Sequence, residues 1–219
     1  MSERRPPQIS SRKQPRQSRS NDLVAAILEA AAQVLKHEGA TRFTTARVAE
    51  RAGVSVGSLY QYFPNKAAIL FRLQRDEWQQ TGAMLRDILQ DTRQPHLQRL
   101  RTLVHAFIVS ECEEAQTRGA LNDAAPLYRD APEAQEARSE SDEAMLVFMA
   151  ELLPQASAGT RQLAVDLIDT TLGATGREFS SEPRTAAEMR VYADAVADMF
   201  CAYLRQLAPT DVQPLAYTA

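Results

Sequence analysis

Two short helix signals set end to end constrain this chain more than any other feature. Residues 42–71 read RFTTARVAERAGVSVGSLYQYFPNKAAILF. Thr44 is a favourable helix N-cap, Val48, Ala49 and Ala52 follow on one face, and Gly53 ends the run. Ser55 caps a second short helix at once, with Leu59 and Phe63 facing inward. Pro64 closes it, because the residue before a proline avoids helical geometry. Gly53 lets the chain reverse in the tight Ala52-Gly53-Val54-Ser55 turn without a side-chain clash.

The rest of the chain also has a helical period. Upstream, Val24, Ile27, Leu28, Ala31 and Leu35 recur at i, i+3, i+4 and i+7, which predicts a helix capped by Ser20 or Asn21 and stopped by Gly39. Downstream, Asn65 can cap a longer helix that runs through Ile69, Leu70 and Leu73, past Trp78, to about Leu89. After a polar break ending at Pro95, Leu97, Leu100, Val104, Phe107, Ile108 and Cys112 return at helical spacing. A short irregular piece from Arg118 to Asp130 is broken by Pro126. Pro132 suits the first position of a helix that carries Met145 to Leu153. Two final helices are expected at about 160–180 and 185–207. There is no sustained strand alternation and no internal repeat. The pattern predicts an all-α fold of about nine helices. Its parts are a disordered basic tail at 1–20, a three-helix domain at 21–75, a larger helical domain at 76–210 and a flexible tail at 211–219.

Charge divides the chain in the same place. Residues 1–75 hold 13 Lys/Arg against 5 Asp/Glu, a balance of +8, and residues 76–219 hold 12 against 23, a balance of −11. One end therefore suits a polyanion and the other does not. With 44% hydrophobic residues the chain can bury a substantial core. It has no apolar run long enough for a membrane helix. No apolar stretch follows the N-terminal charges, as a secretory signal would require. Two cysteines make no disulfide framework, and a cytoplasmic, nucleoid-associated location is expected.

Two short helices across a tight turn make a helix-turn-helix, whose second helix can enter a DNA major groove. The outward face of that helix holds Val56, Gly57, Ser58, Tyr60, Gln61 and Tyr62, with no acid to repel phosphate. The string G-V-S-x-G-S-L-Y-x-Y-F-x-N-K, at residues 53–66, resembles the DNA-binding signature of the TetR family, and the likeness covers about residues 20–75. The resemblance implies that Thr44 and Lys66 hold phosphates on either side of the groove and that Ser55 adds another phosphate contact. It places Tyr60 and Tyr62 on phosphate, sugar or a thymine methyl, with partial core packing as the alternative for either ring. Val56, Gly57, Ser58 and Gln61 would face base edges, Gln61 being suited to adenine.

For the C-terminal portion the resemblance implies a homodimer through the last two helices, with Gly173 and Gly176 allowing close helix approach. It also implies a small-molecule ligand. Trp78, Leu103, Phe107, Tyr128, Met145, Phe148 and Met149 are the candidate lining, suited to a hydrophobic or aromatic compound, and ordinary core packing is the alternative for each. Repression of a palindromic operator, relieved by the ligand, is the family default. Control by a protein partner, or by thiol or metal chemistry at His105, Glu111 and Cys112, stays open. No cofactor, metal or membrane contact is expected. The chain lacks a nucleophile elbow, a P-loop and a dinucleotide fingerprint, so an enzyme is not expected.

Overall fold

The computed structural model describes residues 18–133 and 143–208. Nine α-helices, a 3-10 turn and no strand are found among them. The helices are α1 (Ser18–Arg42), α2 (Thr45–Arg51), α3 (Val56–Tyr62), α4 (Lys66–Gln90), α5 (His96–Glu113), α6 (Ala115–Ala124), α7 (Glu143–Leu152), α8 (Ala158–Phe179) and α9 (Ala186–Leu207). The 3-10 turn, Ala125–Leu127, carries Pro126. Most of the expected basic tail, the flexible C-terminal tail and the middle of the helix expected from Pro132 lie outside the described residues. The expected start of α1 is corrected: the helix begins at Ser18, so three residues assigned to the tail are helical. A helix already nucleated by an apolar face extends at little cost into polar residues. Gly39 interrupts α1 as expected, with φ 71°.

The described residues pack into two compact units. The first takes the residues up to Ala83 and returns from Glu114 onward, and the second takes Met84–Glu113 and the described residues from 143. This packing division differs from the 75/76 division read from the sequence.

In the first unit α1, α2 and α3 meet around Ile27, Ala31, Leu35, Phe43, Val48, Leu59 and Phe63, all fully buried. Each of the larger side chains contributes about 1.5–3 kcal/mol by leaving water. Ala67 to Phe71 of α4 join this core, and α6 packs along α1 through Leu121 and Ala124. A polar line runs through the same core. The Tyr128 hydroxyl lies 3.2 Å from Gln74 Oε1 and 3.1 Å from the Leu121 carbonyl. Gln74 Nε2 donates to Glu77. Arg118 Nη2 sits 2.9 Å from Glu77 Oε1 and 2.9 Å from Thr81 Oγ1. Burying polar groups is tolerable only when they are bonded, and here they bond to one another.

In the second unit α9 runs along α5, and Leu100, Val104, Ile108, Ala197, Cys201 and Leu204 fill the seam. An ion pair between Arg101 and Asp198 and a 2.9 Å hydrogen bond between His105 Nε2 and Asp194 flank it. The α5 residue Arg99 is only 3% exposed, and it bonds to the Leu89 carbonyl and to Glu151 of α7. Its guanidinium lies 5.3 Å from the centre of the Phe148 ring. The turn from α8 to α9 is pinned by a stack, with the Phe179 and Tyr192 ring centres 4.0 Å apart and nearly parallel and the Arg184 guanidinium 4.7 Å from the Phe179 ring centre. Thr185 and Glu188 then form a reciprocal capping box. Gly176 serves a close approach, but within this chain: a Cβ there would lie 2.8 Å from Phe107 Cε1. The close helix approach expected at Gly176 is thus made to α5 of the same chain. Gly173 meets nothing within 4 Å.

Candidate nucleic-acid interface

The turn between α2 and α3 is built by backbone hydrogen bonds that glycine makes available. Gly53 has φ 68°, its amide donates to the Glu50 carbonyl at 3.1 Å, and the Val54 amide donates to Ala49 at 3.0 Å. This is the Schellman arrangement that terminates helices at a left-handed residue. Thr44 caps α2 by accepting from the Arg47 amide, and Ser55 caps α3 by accepting from the Ser58 amide. The Ser55 and Ser58 hydroxyls also pair at 2.8 Å. Phe63, extended before Pro64, ends α3, and Asn65 caps α4 through the Ala68 amide.

This frame displays one face of α3. Val56, Gly57, Tyr60 and Gln61 are exposed and Ser58 is half-buried, with Thr44 and Lys66 exposed beside them. Tyr60 is 40% exposed. Tyr62 is the exception among the expected residues. It is only 6% exposed and belongs to the core of the first unit, which corrects its placement on the outward face. Leu59, Tyr62 and Phe63 are spaced i, i+3 and i+4, so the ring shares the inward side with two core residues.

The basic residues of α2 are already engaged with α1. Arg47 pairs with Glu38 and also reaches the Arg42 carbonyl, and Arg51 Nε donates to Gln33 at 2.8 Å. One contact was not foreseen. Thr45 Oγ1 of α2 lies 3.1 Å from the Tyr60 hydroxyl, 15 residues on. No local signal announces this contact, because it depends on how the two helices cross.

The seven residues expected to line one ligand site fall into two cores. Leu103, Met145, Phe148 and Met149 are buried together in the second unit, with Phe107 packed against them. Tyr128 belongs to the core of the first, and the half-buried Trp78 packs against that core. Helical spacing marks an inward face without saying which neighbour it meets. At the proposed thiol or metal position, burial and the carboxylates of Glu111 and Glu113 push the Cys112 thiol above its ordinary value, only partly offset by Arg184. A thiol held protonated is a weak nucleophile and ligand. Among the described residues no three His, Cys, Asp or Glu side chains are grouped to hold a metal ion. No helix among them is long and apolar enough to cross a membrane.

Comparison with known proteins agrees with this geometry. Residues 27–73 match the family model described as bacterial regulatory proteins, tetR family, and residues 95–207 match the tetracyclin repressor-like C-terminal domain. The nucleoid occlusion factor SlmA of Vibrio campbellii is 37% identical over 94 residues, covering 42% of this chain and 47% of SlmA. That of Vibrio cholerae is 52% identical over 42 residues, covering 19% of this chain and 21% of the relative. The chain thus spans about half the length, or less, of these curated relatives. Among solved structures, a TetR-family regulator from Mesorhizobium loti superimposes with TM-score 0.62 at 18% identity, covering 85% of this chain and 98% of that one. NalD, the secondary repressor of the MexAB-OprM multidrug efflux pump in Pseudomonas aeruginosa, gives TM-score 0.57 at 18% identity, covering 89% of this chain and 100% of its own. At such identities the structural likeness speaks to fold alone. The family models cover both the helix-turn-helix and more than half of the sequence, and on that ground the chain belongs to the TetR family of DNA-binding regulators.

Proposed function

We propose that this protein is a transcriptional repressor that binds a palindromic operator as a homodimer and is released by a small hydrophobic or aromatic ligand. The observation that carries the DNA part is the displayed face of α3. It is exposed, free of acids and fixed by caps at both ends of the preceding turn. A B-form major groove about 12 Å wide accepts such a helix. In this reading Val56, Gly57, Ser58 and Gln61 meet base edges, while Thr44, Ser55 and Lys66 meet phosphates. Tyr62 supports α3 from behind.

The homodimer is supported by apolar side chains that α8 and α9 leave in water. Leu163 is 62% exposed and Val191 70%, with Leu167 and Met199 also exposed. Burying such residues against a second copy is favourable, and it sets two recognition helices about 34 Å apart for successive half-sites. The ligand part is supported by the Met- and Phe-rich core of the second unit.

A second reading draws on the curated relatives, which are named nucleoid occlusion factors. In that reading the same α3 face binds DNA, and a protein partner rather than a small ligand controls it.

A gel shift with the DNA fragment upstream of the protein's own gene, run with excess random competitor, tests the DNA part. Lys66→Ala is expected to weaken binding to all duplexes, and Gln61→Ala to erode discrimination between operator and competitor. Wild-type protein that binds no duplex refutes both readings. Wild-type protein that binds, but is released by no member of a library of apolar compounds, favours the partner-controlled reading.

A further inference from the structure

We infer that Thr45 is a positioning residue for DNA binding, and that the Thr45–Tyr60 hydroxyl pair acts as one phosphate-binding unit. The inference rests on the docking of α3 proposed above. It assigns Tyr60 to the DNA backbone rather than to bases.

Each hydroxyl has one proton to donate and can accept at its oxygen. The two oxygens are 3.1 Å apart, and either one can be the donor. Whichever donates, one proton is consumed within the pair and the other is left over. A phosphate ester oxygen only accepts, so the leftover proton suits it. A base edge mixes donors and acceptors and has no such preference.

Tyr60 is 40% exposed on a seven-residue helix, so its own packing restrains the ring only in part. The bond to Thr45 draws the hydroxyl toward α2 and away from the centre of the reading face. Thr45 itself is half-buried on α2. The neighbouring Thr44 hydroxyl accepts from the Arg47 amide instead, and its own proton stays available for the separate phosphate contact proposed above. A group restrained before binding loses less freedom on binding. A chain from phosphate to one hydroxyl and on to the next also polarises cooperatively.

The test uses the full chain with two probes, a labelled duplex from upstream of its own gene and a random-sequence duplex of equal length. Affinities are measured for wild type, Thr45→Val, Thr45→Ser, Tyr60→Phe and the Thr45→Val/Tyr60→Phe double variant, with thermal unfolding of each. Thr45→Val and Tyr60→Phe are each expected to lose about 12- to 160-fold in affinity, the range for a hydrogen bond to a charged group. The loss should be equal on both duplexes, because a phosphate contact carries no sequence information. The double variant should be no weaker than the weaker single, and Thr45→Ser should bind within about twofold of wild type. Unfolding temperatures should stay together, since a merely structural role moves them along with binding. If Thr45→Val binds like wild type, if the two losses multiply, or if the loss is confined to the upstream duplex, the inference is overturned. Should Thr45→Val unfold early, Tyr60→Phe and the Thr45→Ser rescue decide by the same criteria. Wild-type protein that binds neither duplex removes the docking proposal itself, an outcome distinct from the others.

Discussion

Gly176 offers a test of packing with an internal reference. An alanine there puts its Cβ 2.8 Å from Phe107 Cε1 and 3.2 Å from Glu111 Cγ. Carbon atoms in ordinary contact sit about 3.5–4.0 Å apart, so Phe107 has to yield by roughly 0.7–1.2 Å. Overpacking of this kind costs about 1–3 kcal/mol. The same change improves helix preference by about 1 kcal/mol, leaving a net loss of about 0–2 kcal/mol. Gly119 lies exposed in the middle of α6, and a Cβ there meets nothing within 4 Å. Gly119→Ala should therefore gain about 1 kcal/mol from helix preference alone. The two variants should differ by about 1–3 kcal/mol, or roughly 2–12 °C in Tm for a chain of this size. The assay is thermal unfolding followed by circular dichroism at one fixed protein concentration, because a dimer's Tm depends on concentration. Phe107→Leu shortens the opposing side chain, so Gly176→Ala should cost less in that background. If Gly176→Ala raises Tm as much as Gly119→Ala does, the close α5–α8 approach is refuted.

Three further outcomes are expected. Arg118→Ala leaves the half-buried Glu77 carboxylate beside Gln74 and Thr81, and it should lower stability by about 1–3 kcal/mol in urea unfolding; a loss below about 1 kcal/mol would show that water reaches this network. The Cys112 thiol, raised chiefly by burial, should react with iodoacetamide with a pH midpoint above that of the same residue in the urea-unfolded chain. Bonds from the Thr185 amide and hydroxyl hold the Glu188 carboxyl below its ordinary value, so its contribution is present above the ordinary carboxylate pKa and lost as pH falls through the lowered one. The Tm gap between wild type and Glu188→Gln should therefore be widest near neutral pH and close in acid; a gap that widens in acid contradicts the capping box.

What was legible in the sequence was local. Thr44, Ser55, Gly53, Pro64 and Asn65 each act through backbone within four residues of themselves, and each does what its type prescribes. Inward faces were legible too, since Leu59 and Phe63 are core because helical spacing puts them beside other apolar residues. Tyr62 shares that spacing, but an aromatic ring with a hydroxyl suits a core or a surface, and its neighbours in space decide. Which core each candidate ligand residue would join was not legible. Trp78 and Tyr128 point inward as expected, yet into a different core from Phe148 and Met149. The burial of Arg99 and Arg118 had no sequence signal, because their partners Glu151 and Glu77 lie 52 and 41 positions away in the chain and a lone arginine ordinarily reads as solvated.

The seven residues of α3 include no charged side chain, and the arginines of α2 are engaged with α1. Each phosphate that a lysine or arginine neutralises releases counterions and adds about 0.9 to the slope of log affinity against log salt. If α3 enters the groove as proposed, it adds nothing to that slope, and the charge has to come from Lys66 and basic residues outside α3. On a wrong sequence those peripheral charges would still hold the protein near the duplex, while α3 itself would have no electrostatic grip to break. The helix can withdraw and re-enter the groove at each step at little cost, which suits a protein that must examine many sites before it stops at one.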